Sequence, residues 1–283
     1  MPVIGITLGD AAGIGPEIVA AALASGKVDA GFSYRVIGES EDARPGEPTP
    51  ATAHAARWAL EESARLALAG DIAAVVTGPI HKARMQAEGF AFPGQTEFFA
   101  ARTEVKDFAM CLTGGALTVA LVTAHVPLRE VAGLLSAGEI IRVGKLLAAF
   151  LTTRLGREPR IAVAGLNPHA GESGALGREE IEIIAPAISD LASPIFTGPF
   201  SPDTVFNRAV AGEFDGVLCM YHDQGLIPLK LHAFDSGVNV TLGLPFPRTS
   251  PDHGTAFEIA GRNIARPDSM ISAINLAAEL ARP

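Results

Sequence analysis

One pattern occurs three times in this chain: an apolar run of strand character that stops at a histidine. Val217 to Gly225 reads V-L-C-M-Y-H-D-Q-G, with His222 and the carboxylate of Asp223 ahead of a glycine where the chain is expected to turn. Leu117 to Thr123 ends in Ala124-His125, and Ile161 to Leu166 ends in Asn167-Pro168-His169. Such runs are what buried parallel strands are made of. In an open α/β sheet the carboxyl ends of parallel strands line the ligand crevice, so histidines spread over about a hundred positions can converge there. Three imidazoles with a vacant position hold a catalytic divalent metal, which makes His125, His169 and His222 the candidate ligands. A strand cap that hydrogen-bonds a loop would explain any one of them; recurrence in the same context favours the metal.

The rest of the composition bounds the setting. At 283 residues the chain can bury one large or two ordinary cores. Apolar residues make up 48% and the mean hydropathy is +0.28, yet no apolar run approaches the roughly 18 residues that would span a bilayer. The start, M-P-V-I-G-I-T-L-G-D, has no basic leader and carries a glycine and an aspartate where a signal core would lie. A cytoplasmic protein without membrane partners is expected. With 22 Lys and Arg against 31 Asp and Glu, the net charge is −9, and no basic run could track a phosphate backbone, which argues against nucleic acid. Cys111 and Cys219 sit inside apolar runs without a C-x-x-C pair and read as core residues.

Along the chain, Val3 to Leu8 reads as a buried strand, followed by G-D-A-A-G-I-G-P-E and an alanine-rich helix from about Pro16 to Leu23. Glycines before a helix with Pro16 in its first turn suit a loop whose N–H groups face a ligand, although neither G-x-G-x-x-G nor G-K-[ST] is present. Tyr34 to Gly38 is a second strand, Glu39 to Pro50 a polar surface loop, and Ala51 to Ala69 a helix with Ala55, Trp58, Ala59 and Leu66 at helical spacing. Thr77-Gly78-Pro79 is expected to open a helix flanked by His81 and Lys82 that could hold an anion. Thr96 and Glu97 open another helix, Phe108 to Leu112 and Leu117 to Val122 form a hairpin across Gly114-Gly115, and Ser136 with Glu139 forms a capping box. After His169 the loop G-E-S-G-A-L-G reads as flexible, with a helix from Arg178 to Leu191. Lys230, Asn239 and Arg248 interrupt apolar sequence and suggest an anionic ligand.

Glu172, Asp203, Asp223 and Asp252 accompany the histidines, and Lys82, Lys230 and Arg248 offer anion contacts. A metal ringed by cations suits a small phosphorylated or carboxylated substrate whose oxygen the metal polarises. From residues alone, a metal-assisted nicotinamide-dependent dehydrogenase and a metal-dependent phosphohydrolase both survive, with a non-catalytic binding module as a third class.

The segments G-D-A-A-G-I-G-P-E, T-G-P-I-H-K, G-Q-T-E-F-F, L-N-P-H-A-G-E, M-Y-H-D-Q-G-L-I-P-L-K and V-N-V-T-L-G-L-P-F-P-R-T-S-P-D-H-G-T-A-F resemble, in order, the 4-hydroxythreonine-4-phosphate dehydrogenase family. The tail H-G-T-A-F-E-I-A-G-R-N-I-A-R-P is similar to the wider isocitrate and isopropylmalate dehydrogenase group, which binds its dinucleotide without a Rossmann fingerprint. The resemblance implies an α/β fold of two α/β/α domains separated by a cleft, residues 1–110 with 255–283 and residues 111–254, in a homodimer with sites at the interface. It implies oxidation of 4-phosphooxy-L-threonine at C3 by NAD or NADP, with decarboxylation to 3-amino-2-oxopropyl phosphate for the pyridoxine ring. It makes His125, His169 and His222 ligands of zinc, magnesium or cobalt, one of them supplied across the dimer. Asp203, Asp223 and Lys230 become catalytic, Gln95, Thr96, Lys230, Asn239 and Arg248 bind substrate, and His253, Gly254 and Thr255 bind the dinucleotide.

Three departures stand out. The family's G-H-T-E reads G-Q-T-E here, placing neutral Gln95 at a histidine position; the loop between Gly38 and Pro50 is short; and Arg266 replaces an asparagine in I-A-R-P. A sister activity on a phosphorylated four-carbon sugar acid, D-threonate or D-erythronate 4-phosphate, is the alternative.

Overall fold

The computed structural model describes residues 1–39 and 42–282. Ser40 and Glu41, inside the polar loop expected over Glu39 to Pro50, and Pro283 lie outside the described residues. The chain begins β1 (Val3–Thr7), α1 (Gly15–Ala24), β2 (Ser33–Ile37), α2 (Pro50–Leu68), β3 (Ala74–Thr77), α3 (Lys82–Ala87) and α4 (Gln95–Arg102). It continues through β4 (Ala109–Gly114), β5 (Leu117–Leu121), α5 (Leu128–Leu134), α6 (Ala137–Leu155), β6 (Ile161–Ala164), α7 (Ala185–Leu191), β7 (Phe196–Phe200) and α8 (Pro202–Val210). It ends with β8 (Gly216–Cys219), α9 (His222–Ala233), β9 (Val238–Leu242), β10 (Arg248–Pro251) and α10 (Asp268–Leu280).

Two compact units result, residues 1–106 with 238–283 and residues 107–237. Residues 238–254, expected in the second domain, therefore belong to the first. The reason is pairing: β10 runs parallel to β3, with Arg248 opposite Val75, and β9 runs antiparallel to β10, with Val240 opposite Thr249.

In the first unit the strand order is β2-β1-β3-β10-β9, and β1 is parallel to both β2 and β3. Ile4, Ile6, Val75 and Val76 are wholly buried, the near-continuous apolar pattern of strands covered on both faces. Pro50 sits in the first turn of α2, and Thr49 and Thr52 exchange reciprocal side-chain-to-backbone bonds. The buried stripe of α2 includes Ala53, Ala56, Ala59, Leu60 and Ala64, whereas Trp58 is 56% exposed. Trp58 is thus not core. Small alanines let the helix approach the sheet closely, and an indole on that stripe would hold it away. Phe90, Phe98, Phe99 and Phe246 fill the same core.

The second unit has the order β4-β5-β8-β6-β7. The β4–β5 hairpin is antiparallel as expected, with the hydroxyls of Thr113 and Thr118 bonded at 2.8 Å across it, and the remaining pairs are parallel. Ser136 accepts from the Glu139 N–H to start α6, but Glu139 directs its carboxylate to Arg142 at 2.6 Å. Burial pushes the Cys111 thiol up to about 12 and that of Cys219 higher still, so both are inert core residues in this fold. Among the described residues no helix is long and apolar enough to cross a membrane.

Candidate functional site

The second unit gathers the histidine ends. The β5–β8 ladder sets Leu121 opposite Cys219 and extends past both strands: Val122 N–H donates to Cys219 O at 2.9 Å, and the Thr123 hydroxyl donates to Met220 O at 2.7 Å. Locked in step, the two chain ends deliver His125 and His222 side by side, ring centroids 5.4 Å apart. Two imidazoles sharing an ion at about 2.1 Å from each nitrogen, tetrahedrally disposed, would have centroids about 5 Å apart, so the pair fits a divalent metal. His222 Nδ1 lies 2.7 Å from Asp223 Oδ1, which leaves Nε2 as the ligating atom, a carboxylate–histidine pairing common behind metals.

The glycine after His222 does not turn the chain. His222 begins α9, which continues through Gly225 to Ala233. A Cβ at Gly225 would stand 3.1 Å from both Cys219 Sγ and Leu121 Cδ2, so glycine is there to let α9 lie directly on β5 and β8. Gln224, which composition and motif spacing did not single out, is buried with both ends of its amide engaged. Its Oε1 accepts from Met220 N–H at 2.7 Å and its Nε2 donates to Gly165 O at 2.6 Å, tying the start of α9 to the end of β6. A polar residue one step after the motif's carboxylate was the available signal.

His169 does not join the other two: among the described residues no set of three or more His, Cys, Asp or Glu side chains is spaced to hold a metal. It stands near Asp203, whose carboxyl lies below the ordinary range chiefly because the Ser201 hydroxyl bonds it, with the charge of His169 adding to the effect. The segment after Asn167, expected to be flexible, is an ordered left-handed turn. His169, Ala170, Gly171, Glu172 and Ser173 all have φ between 43° and 78°. Left-handed backbone costs a non-glycine residue roughly 1–2 kcal/mol, so four of them store on the order of 4–8 kcal/mol. Glu180, 2% exposed, offsets this. Its Oε1 accepts from the N–H groups of Leu166 and Asn167, both at 2.7 Å, and its Oε2 from Asn167 Nδ2 at 3.0 Å. Three bonds to a charged acceptor at about 1.5–3 kcal/mol each are of the required size. Lys230 lies on α9, about two turns from His222.

The first unit holds the residues expected to meet an anion. Arg248, expected to meet an anionic ligand, lies in β10 and is only 3% exposed. Its guanidinium donates to Thr77 Oγ1 at 2.5 Å, Gln95 Oε1 at 2.8 Å and Thr241 Oγ1 at 3.1 Å, and stands over the Phe99 ring. All these partners are neutral, and Nε has none. Burial pushes the group down to about 10, with Glu97 opposing, so it stays charged at neutral pH. A buried cation with neutral partners and an orphaned N–H has the chemistry to take up an anion. The Thr96 hydroxyl sits 3.3 Å from that of Thr241, and Asn239 Oδ1 is buried without a partner. Thr77 ends β3 and accepts from Arg248 through its hydroxyl. The helix expected to open at Thr77 begins only at Lys82, capped by His81.

The glycine-rich loop after β1 packs against the segment carrying His253, Gly254 and Thr255. Ile14 N–H donates to Thr255 O at 2.9 Å, and a Cβ on Gly13 would lie 2.6 Å from that oxygen. Gly254 is open, and His253 Nε2 is a buried atom without a partner. Arg266 pairs with Asp268 at 3.1 Å.

Residues 17–277 match the family model described as pyridoxal phosphate biosynthetic protein PdxA. The chain belongs to that family. It is 44% identical to a 4-hydroxythreonine-4-phosphate dehydrogenase of Desulforapulum autotrophicum, over 98% of this chain and 95% of the relative. It also aligns with the crystal structure of the Klebsiella pneumoniae 4-hydroxythreonine-4-phosphate dehydrogenase at a TM-score of 0.85 and 37% identity, covering all of both chains. A β-decarboxylating dehydrogenase from Thermococcus kodakarensis, 18% identical with a TM-score of 0.54 over 97% of this chain and 82% of that one, shares the fold. Gln95, at the position where the resemblance leads one to expect histidine, is held at both ends of its amide. Gly78 O can only accept and Arg248 Nη2 can only donate, so the amide is oriented by both, with Nε2 on Gly78 O at 3.0 Å and Oε1 on Arg248.

Proposed function

We propose that this chain catalyses NAD(P)-linked oxidation of 4-phosphooxy-L-threonine with decarboxylation to 3-amino-2-oxopropyl phosphate, in pyridoxal phosphate biosynthesis, as a cytoplasmic homodimer with the site at the subunit interface. The observation that carries this is the convergence of His125 and His222 at neighbouring strand ends in a chain of this family. The pair would hold a divalent ion, zinc, magnesium or cobalt; His169, which does not meet them within one chain, would be the third ligand, supplied across the dimer, and the ion when bound would supply Lewis acidity at the substrate's C3 oxygen. Asp223 orients His222 through the 2.7 Å bond to Nδ1. Arg248, with Thr96 and Asn239, binds the anionic substrate, and its charge is fixed in place before substrate arrives, so little reorganisation is needed. Lys230 returns a proton to the carbon that carbon dioxide leaves, and Asp203, beside His169, lines the site. His253, Gly254 and Thr255 contact the dinucleotide. Exposure of Ile227, Leu231 and Phe234 at helical spacing along and just beyond α9, the helix that bears His222, supports a subunit interface there.

One observation favours a second reading. Both polar atoms of Gln95 are engaged by protein, so the position offers no free charged donor to substrate, and a phosphorylated sugar acid such as D-erythronate 4-phosphate is the competing substrate. Steady-state formation of reduced nicotinamide with each substrate, after chelation and re-addition of zinc, magnesium or cobalt, decides between them. Higher kcat/KM for 4-phosphooxy-L-threonine is expected; turnover of neither substrate with any metal would refute the proposal.

A further inference from the structure

We infer that Glu180 is a positioning residue for His169, an inference that rests on His169 being a metal ligand as assigned above. Its carboxylate is buried, and its partners are neutral N–H donors from Leu166 and Asn167, all two or three residues before His169. A structural carboxylate serving stability alone is ordinarily matched with a cation or left in solvent. Here it is spent on fixing where β6 ends and the left-handed turn begins. The surrounding sequence makes room for it: a Cβ on Gly165 would lie 3.1 Å from Glu180 Oε1, and one on Gly171 would lie 2.6 Å from Oε2. Asn167 is gripped from a second side by Glu179 at 2.7 Å, and its O accepts from the Ala170 N–H at 3.1 Å. The same strand end is held by Gln224, through the Gly165 carbonyl at 2.6 Å. His169 follows directly from this clamp, in a backbone conformation it would not adopt unaided. Glu180 therefore fixes the backbone from which the exposed His169 side chain projects, without touching the imidazole.

The experiment is a cobalt(II) titration of the full chain, followed by visible absorption, for the wild type, His169→Ala, Glu180→Gln and the double variant. Glutamine keeps the shape but turns an amide N–H₂ towards a donor of Asn167. We expect Glu180→Gln to melt cooperatively yet bind cobalt about 10- to 100-fold more weakly, the usual consequence of disturbing a ligand's support. The double variant should bind no more weakly than His169→Ala alone, because both changes remove the same ligand. Wild-type cobalt affinity in Glu180→Gln, or additive losses in the double variant, would overturn the inference. Should Glu180→Gln fail to fold, Gly171→Ala disturbs the same carboxylate from the other side and is expected to weaken cobalt likewise; wild-type affinity there overturns it too. Wild-type affinity in His169→Ala removes the ligand assignment itself, and this role with it, which separates the two failures.

Discussion

Replacing Arg248 with methionine should separate binding from stability. In the unliganded protein burial carries the guanidinium from its ordinary value down to about 10, which at about 1.4 kcal/mol per unit is an unfavourable contribution of about 3 kcal/mol. The sign follows from a folded value below the unfolded one: the penalty is fully present at neutral pH and is relieved only as pH rises through 10. Against it stand three hydrogen bonds, to Thr77, Gln95 and Thr241, each contributing about 1–1.5 kcal/mol. The two sides nearly cancel. Arg248→Met should therefore change unfolding free energy by less than about 2 kcal/mol, whereas breaking a buried ion pair costs about 3–5 kcal/mol. Function should respond differently, with kcat/KM falling roughly thirtyfold to nearly a thousandfold, the loss of about 2–4 kcal/mol of charge-assisted binding. Denaturant titration gives the first quantity. Thermal melts with inorganic phosphate, set against sodium chloride of equal ionic strength, test the anion site directly. Phosphate at a hundred times its Kd stabilises by about 2.7 kcal/mol, and this gain should vanish in the variant. A variant that keeps the phosphate response, or loses more than about 4 kcal/mol without ligand, would refute the receptor argument.

Two further predictions concern the second unit. Leu231 and Phe234 are 88% and 77% exposed, so Leu231→Asp with Phe234→Asp should leave the fold intact, convert a dimer to monomer in sedimentation velocity and abolish activity; a fully active wild-type monomer would remove the interface reading. Bonding to Arg157, with Arg160 assisting, holds the Asp215 carboxyl well below the usual carboxylate range. Its stabilisation is present above about pH 4 and is lost as pH falls further. Allowing for solvent around the two half-exposed arginines, Asp215→Asn should cost about 1–2 kcal/mol at pH 7, with a gap from wild type that narrows below pH 4. A gap independent of pH would count against this account.

The elements with periodic signals were legible. The β4–β5 hairpin, the first strand and the long helices from Pro50 and Ala137 all lie within a few residues of expectation. What misled was punctuation read locally. Gly225 was expected to break the chain, yet it is buried inside α9, because helix against strand leaves no room for a side chain. The G-E-S-G-A-L-G loop was expected to be mobile, yet Glu180, at a distance, supplies the acceptors that order its entrance. Trp58 matched a helical stripe, and only contact with the sheet shows that the alanine stripe beside it faces inward.

By itself the sequence determined the α/β class, the alternation of apolar runs with helices, and the placing of histidines just beyond strand ends. These follow from local chemistry: apolar runs seek burial and polar residues collect where strands stop. Tertiary structure alone decided which histidines meet. His125 and His222 are partners because β5 and β8 pair in register, while His169 leaves the neighbouring β6 through a left-handed turn of its own. It also decided that Arg248 is a buried cation with neutral partners, since burial among hydroxyls and an amide comes from β3, α4 and β9 closing around it. Register and enclosure are relations between distant segments, set by side chains that have no spacing rule in common.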